Sequence, residues 1–283
     1  MILPVDTKEI GEVATFTLEK FRGMFPNASM VLVGKLFADV ATLFAGKHPD
    51  YSPIDVKYHD LEHTLQATVC MVQLLENRHR AAGELPLTAR GFELAMAAVL
   101  LHDAGYLKLR SDTAGTGAKY TFCHVLRSCA FATSYLPNLG VNQREIEVVL
   151  GSINCTGPAR EISQLHFPHP IDRVVGCALA TADYLGQMAA ADYPDELAIL
   201  FNEFEESDNF TQTPAAQRLF RSAEELAKNT PQFWQNFVQP KLEHECQGLY
   251  RFLAFPSPHG TNHYWSAVEA NIAIIKSRLL LLC

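Results

Sequence analysis

The sequence lacks a C-x-x-C pair, a basic stripe, an apolar run long enough to cross a bilayer, and any internal repeat or low-complexity tract. Each absence removes a class of function. The seven cysteines (Cys70, Cys123, Cys129, Cys155, Cys177, Cys246 and Cys283) are odd in number and sit mostly inside apolar runs, so they read as reduced, buried thiols rather than a disulfide framework. With 23 Lys+Arg scattered singly against 31 Asp+Glu, the formal charge is −8, and a nucleic-acid polymer finds no electrostatic footprint. No stretch approaches the ~18 apolar residues of a membrane span, and the start MILPVDTKEIGEV lacks the basic opening of a secretion signal. The expectation is a cytoplasmic protein with no membrane partner.

Strict two-residue alternation is also nearly absent, which leaves little room for strands. What the chain has instead, with 48% apolar residues over 283 positions, is helical periodicity punctuated by Gly and Pro. The pattern predicts an all-α protein, with helices over residues 7–24, 29–45, 58–79, 88–105, 122–136, 142–153, 171–190, 194–206, 215–227, 231–254 and 264–282. A length of 283 residues suits one domain, 1–283, because the Phe, Leu and Trp spacing after Pro194 looks like packing against the first two thirds.

Chemistry concentrates in three places. In ARGFELAMAAVLLHD (89–103), Phe92, Met96, Val99 and Asp103 fall at spacings of 4, 3 and 4, which sets a carboxylate beside His102 on an apolar stripe. Burying such a charge is costly unless a cation compensates it, and a metal is the natural one. Asp183 repeats the problem after the uncharged stretch VVGCALATA (174–182). The third place is YHDLEH (58–63), where His59 and His63 stand four apart, as on one face of a helix. Singly, each has an ordinary structural explanation. Together His63, His102, Asp103 and Asp183 supply imidazole and carboxylate donors from separate helices, as metal sites in bundle cores do.

In this order, His63, His102-Asp103 and Asp183 resemble the H…HD…D signature of the HD superfamily of metal-dependent phosphohydrolases. YHDLEH is similar to the Y-H-N-x-x-H opening of the branch that contains cyclic-nucleotide phosphodiesterases. The resemblance covers about residues 55–190 and implies a helical-bundle core there, with flanking helices in 1–54 and 191–283. It implies one or two divalent ions (Fe, Mn, Zn or Mg) held by His63, His102, Asp103 and Asp183. His124 is a candidate for a second ion. Asp103 and His59 would be catalytic, with His59 protonating the leaving group, and the partner would be a small phosphorylated substrate. A homodimer stays open. Lys108, Lys119 and Arg127 flank the site in an otherwise acidic chain and are candidates to bind phosphate, as is Arg110.

The chain also departs from that branch. HDAGYLK (102–108) has no third His, Asp60 replaces the usual Asn, and no glutamine-and-aromatic clamp for a purine is evident. A di-iron oxygenase of HD type, or a metal-binding sensor or interaction module without turnover, are the alternatives. HDLEH (59–63) is also a literal H-x-x-E-H zinc-peptidase pattern, but that reading leaves Asp103 and Asp183 unused. The loop histidines His166, His169, His259 and His263 have only loose ligand spacing.

Overall fold

A computed structural model describes residues 4–82, 85–158, 160–257 and 259–281. The fold is all-α, as the periodicity predicts. Ten helices follow one another among the described residues: α1 (Ile10–Met24), α2 (Val31–Phe44), α3 (Leu61–Arg80), α4 (Ala89–Leu101), α5 (His124–Tyr135), α6 (Gln143–Asn154), α7 (Pro170–Met188), α8 (Tyr193–Phe210), α9 (Ala223–Phe233) and α10 (His263–Leu280). A two-residue antiparallel pair, Ala254–Phe255 with Thr261–Asn262, is the only sheet among them. No helix is long and apolar enough to cross a membrane. The six described cysteines are free thiols, and all but Cys123 are buried; Cys283 lies outside the described residues.

The most extensive helix contact is between α3 and α7. α3 is buried almost all round, with Leu65, Ala67, Val69, Cys70, Met71 and Val72 fully enclosed. Each Leu or Val so buried is worth ~1.5–3 kcal/mol, so this pair anchors the core. Thr64 and Thr68 are tolerated inside because their hydroxyls donate to the carbonyls of Asp60 and Thr64, one turn back. The crossing is close: a Cβ on Gly186 of α7 would stand 3.0 Å from the backbone nitrogen of Ala67. The continuous core runs from Val13 of α1 to Ile275 of α10, so the first and last helices pack into the same apolar mass as the middle of the chain.

Side-chain caps fix where several helices begin. Asp60 accepts from the backbone N–H of His63 to start α3, Thr88 from Gly91 to start α4, and Asn142 forms a reciprocal box with Glu145 at α6. Three sequence expectations change. The helix predicted over 88–105 ends at Leu101, and Asp103 lies outside it with φ −107° and ψ 8°. The helix predicted over 215–227 begins only at Ala223, after the Ser222 cap. The helix predicted over 231–254 is broken into wide π turns at Trp234–Val238 and Lys241–Glu245 and a 3₁₀ turn at Leu249–Leu253. Pro231 and Pro240 each lack the N–H that an α-turn needs, and Gly248, at φ 66°, reverses the path.

Candidate metal centre

The α3–α7 crossing and the end of α4 bring four polar side chains to one point inside the apolar mass. His63 in the first turn of α3, His102 and Asp103 just beyond α4, and Asp183 in α7 are 4%, 1%, 2% and 9% exposed. His63 Nε2 lies 3.3 Å from Asp103 Oδ2 and 3.3 Å from Asp183 Oδ1. His102 Nε2 lies 3.2 Å and 3.6 Å from the same two oxygens. Although close, the two Nε2 atoms and Asp103 Oδ2 make no aligned hydrogen bond and are cut off from solvent. Such orphaned groups each cost ~1–3 kcal/mol or more if nothing compensates them.

Their spacing offers the explanation. Donors that share one ion at about 2.1 Å stand about 3.0–3.4 Å from each other, which is the separation of most of these atoms. The buried group His63–His102–Asp103 can therefore hold a metal ion, with all three donor atoms within 4.8 Å of one another. Asp183 approaches both imidazoles from α7. The His102 ring is also set as a ligand: its Nδ1 is 2.7 Å from the Val99 carbonyl, which holds the proton on Nδ1 and turns the lone pair of Nε2 toward the carboxylates.

Electrostatics agrees with the geometry. Burial by itself pushes the His63 imidazole down, but the facing carboxylates of Asp103 and Asp183 outweigh it and raise it to about 9. His102 moves well above its ordinary value for the same reason. Burial would raise Asp103 and Asp183, yet the two imidazoles hold both well below the usual carboxylate range. Without an ion, then, protons on the imidazoles balance the carboxylates, and a cation would take their place.

His124 opens α5 on the other side of Asp103. Its Nε2 lies 3.6 Å from Asp103 Oδ1, while its Nδ1 is 2.6 Å from the Thr121 carbonyl. Burial lowers its pKa and keeps the ring neutral. Gly105 makes this approach possible, because a Cβ there would stand 2.0 Å from the His124 carbonyl oxygen. Its N–H donates to the Ser128 hydroxyl at 2.8 Å, tying the turn after Asp103 to α5.

His59 sits beside the cluster but not on a helix. α3 begins at Leu61 with Asp60 as its cap, so the expected i, i+4 pair on one helical face is not formed. The His59 and His63 rings are nonetheless 5.3 Å apart, and Tyr106 stacks 4.7 Å from both His59 and His124. His59 Nδ1 donates to Glu203 Oε2 at 2.6 Å. Glu203, in α8, also accepts from the backbone N–H groups of Lys57 and Tyr58, at 3.0 Å and 2.7 Å. Burial would raise this carboxyl, but His59 and those two amides hold it below its ordinary value, so it is ionised. Nothing in the sequence singles out Glu203. It is one of four acidic residues in NEFEESD (202–208), of which Asp208 is buried as well, so what distinguishes it is its partnership with His59.

The cations expected to bind phosphate are engaged elsewhere. Lys108 donates to Asp55 at 3.0 Å and to the Gly115 carbonyl, and Lys119 to Asp112 and the Ala114 carbonyl. Arg127 donates to the carbonyls of Gly105 and Leu107 at 2.7 Å and 2.8 Å, with its guanidinium 3.5 Å from the Tyr120 ring. Arg110 binds the carbonyls of Gly46, His48 and Pro49. All four hold the loop between α4 and α5 in place. Glu62 faces Thr7 and Gln66 rather than His59, and His169 stands at the N-terminus of α7. Neither His166, His259 nor His263 joins a metal-ligand group among the described residues.

The chain belongs to the Npun_R2479-like family, whose model matches residues 41–252 and so spans every residue of this centre. No curated protein matches the sequence.

Proposed function

We propose that the centre is that of a metal-dependent phosphohydrolase, acting on a small phosphoester. The observation that carries the reading is the buried, mutually orphaned donor set of His63, His102 and Asp103, completed by Asp183. Its H…HD…D order and the His placed before it resemble the HD superfamily. Two imidazoles with two carboxylates suit Fe, Mn or Zn better than Mg, which prefers oxygen alone. A divalent ion held by His63, His102, Asp103 and Asp183 would supply Lewis acidity and lower the pKa of water there to about 7.

The protein's own residues supply the rest. Asp103 presents one oxygen to His63 and His102 and the other to His124, so it can serve two positions at once. His59 is the proton donor. Its Nδ1–H is fixed on ionised Glu203, which turns Nε2 away from Glu203 and leaves it to protonate a departing alkoxide. Tyr106, stacked on His59 and His124, keeps both rings from rotating. The surrounding apolar wall of α3, α4 and α7 excludes bulk water from the reacting atoms.

The test is turnover of a panel of phosphomonoesters and phosphodiesters by purified protein supplied with Mn, Fe or Zn. Chelator-sensitive hydrolysis of at least one, lowered ~100-fold in His59→Asn with metal content unchanged, is the expected result. Iron-dependent oxygen consumption without hydrolysis would replace this reading with the oxygenase alternative.

A further inference from the structure

Outside the centre, His63 forms part of the wall of a second feature, a half-open cavity of about 100 Å³ between the start of α3 and the start of α8. Its lining carries four carboxylates, Asp60, Glu62, Asp192 and Glu196, against one ammonium, Lys57. Lys8 lies near Glu62 as well, so the balance stays negative. Tyr193 completes the wall. It is 5% exposed, and its hydroxyl makes no hydrogen bond among the described residues yet reaches solvent. A phenol at a cavity wall with no protein partner is free to hydrogen-bond a ligand there.

The arrangement of charge says which kind. No three of these carboxylates bring oxygens within 4.8 Å of one another, so they do not converge on a single small ion as His63, His102 and Asp103 do. Charge spread around a space of this size, with Tyr58 and Tyr193 in the wall, suits an organic ammonium. An anion would be repelled. The cavity is also coupled to the centre: Gln187 lines it, accepts from the Tyr58 hydroxyl at 2.6 Å, and donates to Asp183 Oδ1 at 3.3 Å.

We infer that the cavity receives the cationic end of the substrate, which is therefore a small phosphoester bearing an ammonium group, its phosphoryl end at the metal centre. The ammonium part rests on the cavity, and the phosphoester part rests on the function proposed above. One pair of probes separates them, phosphoethanolamine and ethyl phosphate, which differ only by the ammonium.

The experiment is calorimetric titration of the full chain loaded with Mn²⁺, using both probes, and of the metal-free chain using ethylammonium. Phosphoethanolamine is expected to bind at least tenfold more tightly than ethyl phosphate. Replacing Asp192 and Glu196 by Asn and Gln should bring the ratio toward one, and the comparison of probes on the unaltered chain needs no variant. Equal binding of the two esters overturns the ammonium inference and leaves the phosphoester reading standing. Ethylammonium binding that depends on Glu196, with neither ester bound, supports the cavity's role and overturns the phosphoester reading. Extra Mn²⁺ bound in a Glu196-dependent way, without ethylammonium binding, shows a metal subsite and overturns the inference.

Discussion

Around Asp103 and around Lys119 the protein buries charge in opposite ways. Lys119 is nearly inaccessible, yet its ammonium meets Asp112 and the Ala114 carbonyl, and neighbouring Thr116 binds Glu206 through both its N–H and its hydroxyl. Every charge there has its partner. Around Asp103 the imidazoles and carboxylates are equally deep, but their facing atoms sit at ligand separation without forming hydrogen bonds. Burial alone therefore does not mark a functional group. Burial with an unmet valence does.

Substitutions on the two sides should separate cleanly. Asp103→Ala removes the carboxylate that faces His63, His102 and His124, and metal affinity should fall by more than about 100-fold, beyond the ~10–100-fold typical when only a ligand's orienting partner is lost. Metal analysis after dialysis against buffered Mn²⁺ checks this. Lys119→Met should do the reverse, leaving metal content intact while costing about 2–3 kcal/mol in denaturant unfolding, less than the ~3–5 of a wholly buried pair because Asp112 reaches solvent. If Lys119→Met stripped the metal instead, the contrast between the two regions would collapse.

Glu203→Gln probes the next largest effect. It keeps the volume but removes the charge that fixes His59, and turnover should drop ~10–100-fold while bound metal stays constant. A loss of metal in this variant would mean that Glu203 belongs to the ligand set. Gly105→Ala tests how the regions are joined: its methyl would overlap the His124 carbonyl, so α5 must shift. Where two ions bind, the second should be lost first, together with ~1–3 kcal/mol of stability from the overpacking.

The smallest effect is on pH dependence. In metal-free protein His63 has a folded-state pKa raised to about 9, from about 6.5 in the unfolded chain. Its stabilising contribution is complete below about 6.5 and disappears as pH rises through about 9. Asp103 and Asp183, held low, contribute above an unfolded value of ~3.9 and lose that contribution as pH falls further. Melting temperatures of the metal-free chain should therefore peak between pH ~4 and ~6.5, whereas the metal-loaded chain should lose less on going to pH 9. Identical profiles with and without metal would count against the ion occupying this cluster.

Much of this centre was legible from the chain. His63, His102, Asp103 and Asp183 stood out because acids and imidazoles among apolar residues are expensive, and that expense is visible in sequence. Asp103 nonetheless lies beyond the end of α4 rather than on its apolar stripe, so helical spacing does not account for its place in the cluster. His59 likewise meets His63 through the Asp60 cap and not through helical spacing. Glu203 stayed hidden because its partnership with His59 spans 144 positions and depends on how α8 packs. Lys108, Lys119 and Arg127 drew attention by proximity in sequence, but carbonyl and carboxylate partners supplied by the folded loop take up their donors. Helix content was readable throughout. The break-up after α9 was not, because aromatic spacing there fits a continuous helix, whereas the chain passes into π turns beyond Phe233.

The most direct test of the central claim is the metal content, by mass spectrometry, of untagged protein purified without chelator, beside Asp183→Ala. One or two equivalents of Fe, Mn or Zn, lost in the variant, is the predicted result, and a value near two would give His124 its ion. Metal-free protein that takes up no added ion, with Asp183→Ala equally stable, would contradict the account.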